Sequence, residues 1–96
     1  MIGVIAKLKI LDGKQAEFEE VAKDLMAKVK ANESGCLTYQ LYKAKGSSTD
    51  YIFMEQYASA DALKAHGQTE YFRAAGPKLG AVLAGAPVIE YLDIVE

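Results

Sequence analysis

The sequence predicts an α+β domain of the ferredoxin-like kind, with element order β-α-β-β-α-β. Three observations predict it. Four segments carry the two-residue hydrophobic period of strands, and the longer segments between them carry the three-and-four spacing of helices. Clusters of Gly, Ser and Asp fall where one period changes to the other. The strands are also apolar on both faces, which separates them from the half-solvated strands of an isolated antiparallel sheet.

In chain order, residues 2–10 alternate: Val4, Ala6, Leu8 and Ile10 point one way, and Ile5, Lys7 and Lys9 the other. That is a strand. Asp12 then reads as an N-cap with Gln15 three residues on, a variant of the capping box. Phe18, Val21, Ala22, Leu25 and Val29 follow on one face of an amphipathic helix of about five turns, and Gly35 ends the connection after it. Residues 36–43 and 51–57 are rich in aromatic and branched side chains and read as strands. The polar AKGSSTD between them suits a hairpin loop. Ser59 is placed to cap a helix through Ala60–His66, with Asp61 favourable against its dipole. Gly67 suits a left-handed stop. Thr69 caps a further helical stretch, which Gly76-Pro77 is expected to interrupt and Gly85 to close. Residues 87–95 form the last strand, and the whole of 1–96 reads as one domain.

Both faces of the strands are apolar. Ile52 and Met54 lie opposite Phe53 and Tyr57, and Val88 and Leu92 lie opposite Ile89 and Tyr91. At about 25 cal/mol per Å² of apolar area, a few hundred Å² left in water would forgo several kcal/mol, a large part of the stability of so small a domain. Burial against a second copy, a homodimer, is the simplest remedy.

Composition excludes several function classes. The net charge is −2 with the signs interspersed, so no nucleic-acid footprint is expected. No apolar run approaches the roughly 20 residues needed to cross a bilayer, and MIGVIAKLKI reads as a strand and not as a signal peptide. One cysteine, Cys36, cannot form an internal disulfide, which suits a reducing cytoplasm. Gly67, Gly76, Gly80 and Gly85 are too widely spaced for a phosphate loop.

The segments SGCLTYQLYK and YIFMEQYASADALKAHGQTEYF, followed by the helical AAGPKL and a last apolar strand, together resemble the antibiotic biosynthesis monooxygenase family. The resemblance spans essentially the full chain. Its most specific pieces are Gly35-Cys36-Leu37-Thr38-Tyr39 and Glu55-Gln56-Tyr57 with Ala65-His66 and Tyr71-Phe72. The chain departs from the family pattern at Tyr57, where tryptophan is usual, and at Tyr71, where histidine is frequent. The resemblance implies a dimeric α+β barrel, with two sheets packed together, helices outside and a pocket in each subunit. It implies an enzyme that needs no cofactor or metal, oxidising a quinol, anthrone or similar aromatic molecule with O₂. Haem-degrading relatives rely on a tryptophan, a first-strand asparagine and a haem-ligating histidine, and this chain has no tryptophan and its one asparagine, Asn32, at the end of the first helix. An isomerase of the same fold would need convergent cations, for which Lys7, Lys9 and Arg73 are available. A dimeric binding domain without turnover is the remaining alternative.

His66, the sole histidine, is the sharpest candidate for chemistry. A neutral imidazole there could act as a base near pH 7 or bond a substrate oxygen; the alternative is a helix-end histidine bonded to a terminal carbonyl. Tyr71, close to it in sequence, is the second catalytic candidate. Tyr39, Phe53, Tyr57 and Phe72 would form an aromatic wall, with simple core contacts as the alternative. Glu55 joins them by strand alternation. If buried it needs a partner, either as a base or in a salt bridge with Lys7 or Lys43.

Overall fold

The computed structural model describes residues 1–96 and gives the order β-α-β-β-α-α-β. Strand β1 spans Ile2–Lys9, helix α1 Gln15–Asn32, β2 Cys36–Lys43, β3 Asp50–Tyr57, α2 Ala60–Gln68, α3 Glu70–Gly80 and β4 Val88–Asp93. The four strands form one sheet in the order β2-β3-β1-β4, antiparallel throughout. This is the ferredoxin-like arrangement, with the expected second helical region present as two helices.

Strand alternation sends Val4, Ala6, Tyr51, Phe53 and Tyr57 to the helix side, where all are buried. Phe18, Ala22, Leu25 and Val29 of α1 are buried too, at the spacing of three and four that places them on one helical face. Phe18 packs on Tyr51 with ring centroids 4.8 Å apart. The Tyr51 hydroxyl donates to Glu19 at 2.5 Å, tying β3 to α1 at the core edge. Beyond β3, α2 and α3 complete the helical layer, with Ala75 of α3 packed beside Leu25 and Val29.

The opposite sheet face is uncovered. Tyr42, Met54, Val88 and Leu92 are exposed there, with Ile5 and Ile52 between them. Every residue of β4, an edge strand paired only with β1, is exposed.

Several local expectations are corrected. Asp12 does not cap α1: the N-cap is Lys14, without a side-chain bond. Asp12 and Gln15 instead close the preceding turn, Gln15 Nε2 donating to Asp12 at 3.0 Å and Gly13 N to Gln15 at 2.8 Å. Gly13 has φ +90°, the conformation the turn requires. Gly67 lies within α2 and not in the left-handed region, which only Gly13 and Gly46 occupy. Thr69 ends α2 and caps α3, accepting from Phe72 N at 3.3 Å. Nor does Gly76-Pro77 break α3, which runs through to Gly80. Pro77 and Arg73, whose carbonyl loses its bond, both lie on the exposed face, where the solvent is at hand to satisfy it.

Candidate functional site

Between sheet and helices lies a cavity of about 660 Å³. Two rows of side chains crossing the sheet form its floor. One runs Tyr39, Glu55, Val4, Tyr91, and the next runs Phe53, Ala6, Ile89. The space exists because the middle of each row is small: Val4 and Ala6 stand where bulkier residues would meet the helices. Leu63, His66, Phe72 and Leu79 close the helical side. The open side is at β4, where Ile89 and Tyr91 remain exposed.

Against this apolar lining, the polar groups belong to Tyr39, Glu55, His66 and Tyr91, with Lys64 on α2. His66 falls in the last turn of α2, which Ser59 starts by accepting from Ala62 N at 3.1 Å. Its carbonyl accepts the Thr69 hydroxyl at 2.9 Å, which fixes the helix end. The ring is held by aromatic neighbours, with centroids 4.6 Å from Phe72, 5.1 Å from Tyr39 and 5.5 Å from Tyr57. Nδ1 lies 3.0 and 3.2 Å from the two oxygens of Glu33. Nε2 has no protein partner, yet no sealed side-chain polar atom in the molecule lacks one. Nε2 therefore opens onto the cavity that the ring lines. The Tyr39 hydroxyl, also without a protein partner, is open in the same way.

Glu55 lies on the helix side of β3 and does not pair with Lys7 or Lys43. Lys7 is on the other face, 3.9 Å from Glu90, and Glu55 accepts the Tyr57 hydroxyl at 2.6 Å instead. Burial raises the Glu55 carboxyl above its ordinary value, and the Tyr57 hydrogen bond and the His66 charge only partly offset this. Burial likewise raises the phenols of Tyr39 and Tyr57, with the Glu55 charge adding to both. Cys36 is pushed up to about 11 by burial and by the charges of Glu33 and Glu55. It remains a thiol at neutral pH.

Of the residues singled out from sequence, Tyr39, Phe53, Glu55, His66 and Phe72 line the cavity. Tyr57 lies behind them, buried and bonded to Glu55. Tyr71 is on the far side of Glu33, to which its hydroxyl donates, and lines a separate groove with Cys36 and Thr69. Sequence reasoning missed Glu33, the C-cap of α1, and the floor residues Val4, Ala6, Ile89 and Tyr91. One signal pointed to Glu33: a carboxylate at a helix C-terminus opposes the dipole, so it implies a donor or cation nearby.

Residues 1–78 match the model of the antibiotic biosynthesis monooxygenase family. Among solved structures, a "putative antibiotic biosynthesis monooxygenase" from Caulobacter crescentus CB15 is 61% identical, with a TM-score of 0.96 over 99% of this chain and 90% of that one. PA3566 from Pseudomonas aeruginosa is 26% identical, with a TM-score of 0.89 over 99% and 94% of the two chains. A conserved protein from Methanosarcina mazei Go1, 24% identical, shares the fold with a TM-score of 0.90 over 95% and 89%. Comparison with curated proteins finds no match.

Proposed function

The chain belongs to the antibiotic biosynthesis monooxygenase family, and on that premise we propose that it is a cofactor-independent monooxygenase acting on a quinol, anthrone or related aromatic molecule. The observation that carries this reading is the unpartnered Nε2 of a buried histidine opening into an apolar, aromatic-walled cavity. Such a cavity takes a fused-ring body and leaves its oxygenated end to Tyr39, Glu55 and His66.

For an anthrone-type substrate, Nε2 of His66 takes a proton from the activated CH₂. The anion transfers one electron to O₂, and the two radicals join in a C–O bond. The resulting peroxide takes the proton back from His66. Loss of the second C–H proton to Nε2 then breaks the O–O bond, leaving C=O, and the departing hydroxide takes that proton as water. The balance is CH₂ + O₂ → C=O + H₂O. The protein supplies a base, the Tyr39 hydroxyl as donor to the developing oxyanion, and exclusion of bulk water. Glu55, which already accepts the Tyr57 hydroxyl, offers its carboxyl as an acceptor for a substrate hydroxyl. Tyr57 orients it.

Two further readings belong to this proposal. A homodimer joined through the uncovered sheet face accounts for Tyr42, Met54, Val88 and Leu92, and the unpaired Cys36 suits a cytoplasmic protein. An isomerase for phosphorylated sugars is disfavoured, because Lys7 and Lys9 pair with Glu90 and Asp50 on the outer face, Arg73 does not line the cavity, and Lys64 alone is not a convergent set of cations.

Oxygen uptake with a panel of hydroquinones and anthrones tests the reading. Turnover is expected, and His66→Gln should lower kcat by about 10²–10⁴-fold while ligand still binds. Uptake at the buffer rate for every compound, with binding intact, would leave a binding domain in place of an oxygenase.

A further inference from the structure

Glu33 and His66 come from the ends of different helices, yet they meet with their side chains only 11% and 5% exposed. The end of α1 does not need a carboxylate: the Glu33 backbone N–H already bonds Val29 O at 2.9 Å. Placing one there costs burial and opposes the helix dipole. What the position provides is two acceptor oxygens between two donors, His66 Nδ1 on one side and the Tyr71 hydroxyl on the other. The Tyr71 phenol, pushed up to about 12 by burial and by Glu33, keeps its proton at neutral pH and stays a donor. Glu33 and Tyr71 line the outer groove and not the cavity, so both reach the substrate only through His66.

We propose that Glu33 is the positioning residue of this site, holding the His66 ring with its proton on Nδ1 and the Nε2 lone pair toward the cavity, and that Tyr71 clamps the carboxylate from behind. A neutral imidazole has one donor and one acceptor nitrogen, and a carboxylate only accepts. Contact with Glu33 therefore makes Nδ1 the donor and leaves Nε2 free to take a proton. Without it the ring can carry its proton on Nε2 and present no base. The assignment rests on the reading of His66 as the base, and it moves Tyr71 from catalytic candidate to support.

Because the chain has one histidine, its ring ¹⁵N resonances can be read without ambiguity by long-range ¹H–¹⁵N NMR on the intact protein at alkaline pH. The expected wild-type spectrum is that of a single Nδ1–H tautomer. Glu33→Gln should bring in the Nε2–H form, with folding checked by the dispersion of the backbone spectrum, and should lower kcat about 100-fold with little change in KM. Tyr71→Phe should give a mixture of tautomers. A wild-type ring protonated on Nε2 overturns the assignment whatever the variants do, as does a folded Glu33→Gln protein with an unchanged tautomer. An Nδ1–H ring that responds to Glu33→Gln in a protein without oxygen uptake would support this assignment while refuting the oxygenase reading.

Discussion

At Glu55 a carboxyl is buried on the helix side of the sheet with one hydroxyl donor, and this makes stability depend on pH in a predictable direction. The unfolded chain releases this proton near the ordinary value of 4.5, while the folded chain holds it to higher pH. Above about pH 4.5 unfolding therefore releases a proton, and stability falls as pH rises toward the folded value. Glu55→Gln keeps an acceptor for Tyr57 and removes the titration. The melting temperature of the variant minus that of the wild type should grow between pH 4 and pH 7; a flat difference would show that Glu55 ionises freely. The aromatic wall and His66 were legible in the sequence because strand alternation and a capped helix fix where side chains point. The role of Glu33 was not, since it depends on a meeting of residues 33, 66 and 71 that only the packed helices create. The division of labour between His66 and Tyr71 was hidden for the same reason, as a single carboxylate separates the cavity from the outer groove.

Among the elements, β2 starts close against α2. A Cβ on Gly35 would stand 2.8 Å from the Ala62 Cβ, too close to accept without a shift. Gly35 O also accepts Ala58 N at 2.8 Å, so the strand start cannot easily withdraw from the helix. Gly35→Ala is expected to destabilise by about 1–3 kcal/mol in urea unfolding. Gly67, inside α2 with open space around its Cβ position, should behave oppositely: Gly67→Ala is expected to stabilise by about 0.5–1 kcal/mol. Equal effects at the two glycines would contradict this packing. The contrast also explains where reading elements from sequence failed. Glycine and proline mark helix ends only when nothing outside the helix decides otherwise. Here His66 must reach Glu33, and α2 continues past Gly67 to Gln68; α3 packs Ala75 and Leu79 against α1 and continues through Pro77 on its wet side. The strands, whose period of two is set by the backbone itself, were read more faithfully.

At the scale of the whole molecule, the sheet separates a covered face from an uncovered one, and the cavity depends on both. β4 contributes Ile89 and Tyr91 to the cavity but Val88 and Leu92 to the opposite face, and β1 is its only strand partner. Val88 is 58% exposed and Tyr42 51%. A second copy packed on that face would bury these side chains in an isologous interface, so any substitution there acts twice. It would also hold β4 in place. The homodimer reading therefore predicts more than an assembly state. Met54→Lys combined with Leu92→Lys places like charges in the interface without touching the cavity, and should give monomers in sedimentation velocity where the wild type gives dimers. The wild-type unfolding midpoint should rise with protein concentration, and that dependence should vanish in the variant. Because a loosened β4 opens the cavity floor at Ile89 and Tyr91, the monomeric variant should also bind an aromatic ligand at least several-fold more weakly. A wild type that sediments as a monomer would refute the interface. A monomeric variant with full ligand affinity would show instead that β1 alone holds β4 and that each cavity is complete within its own chain.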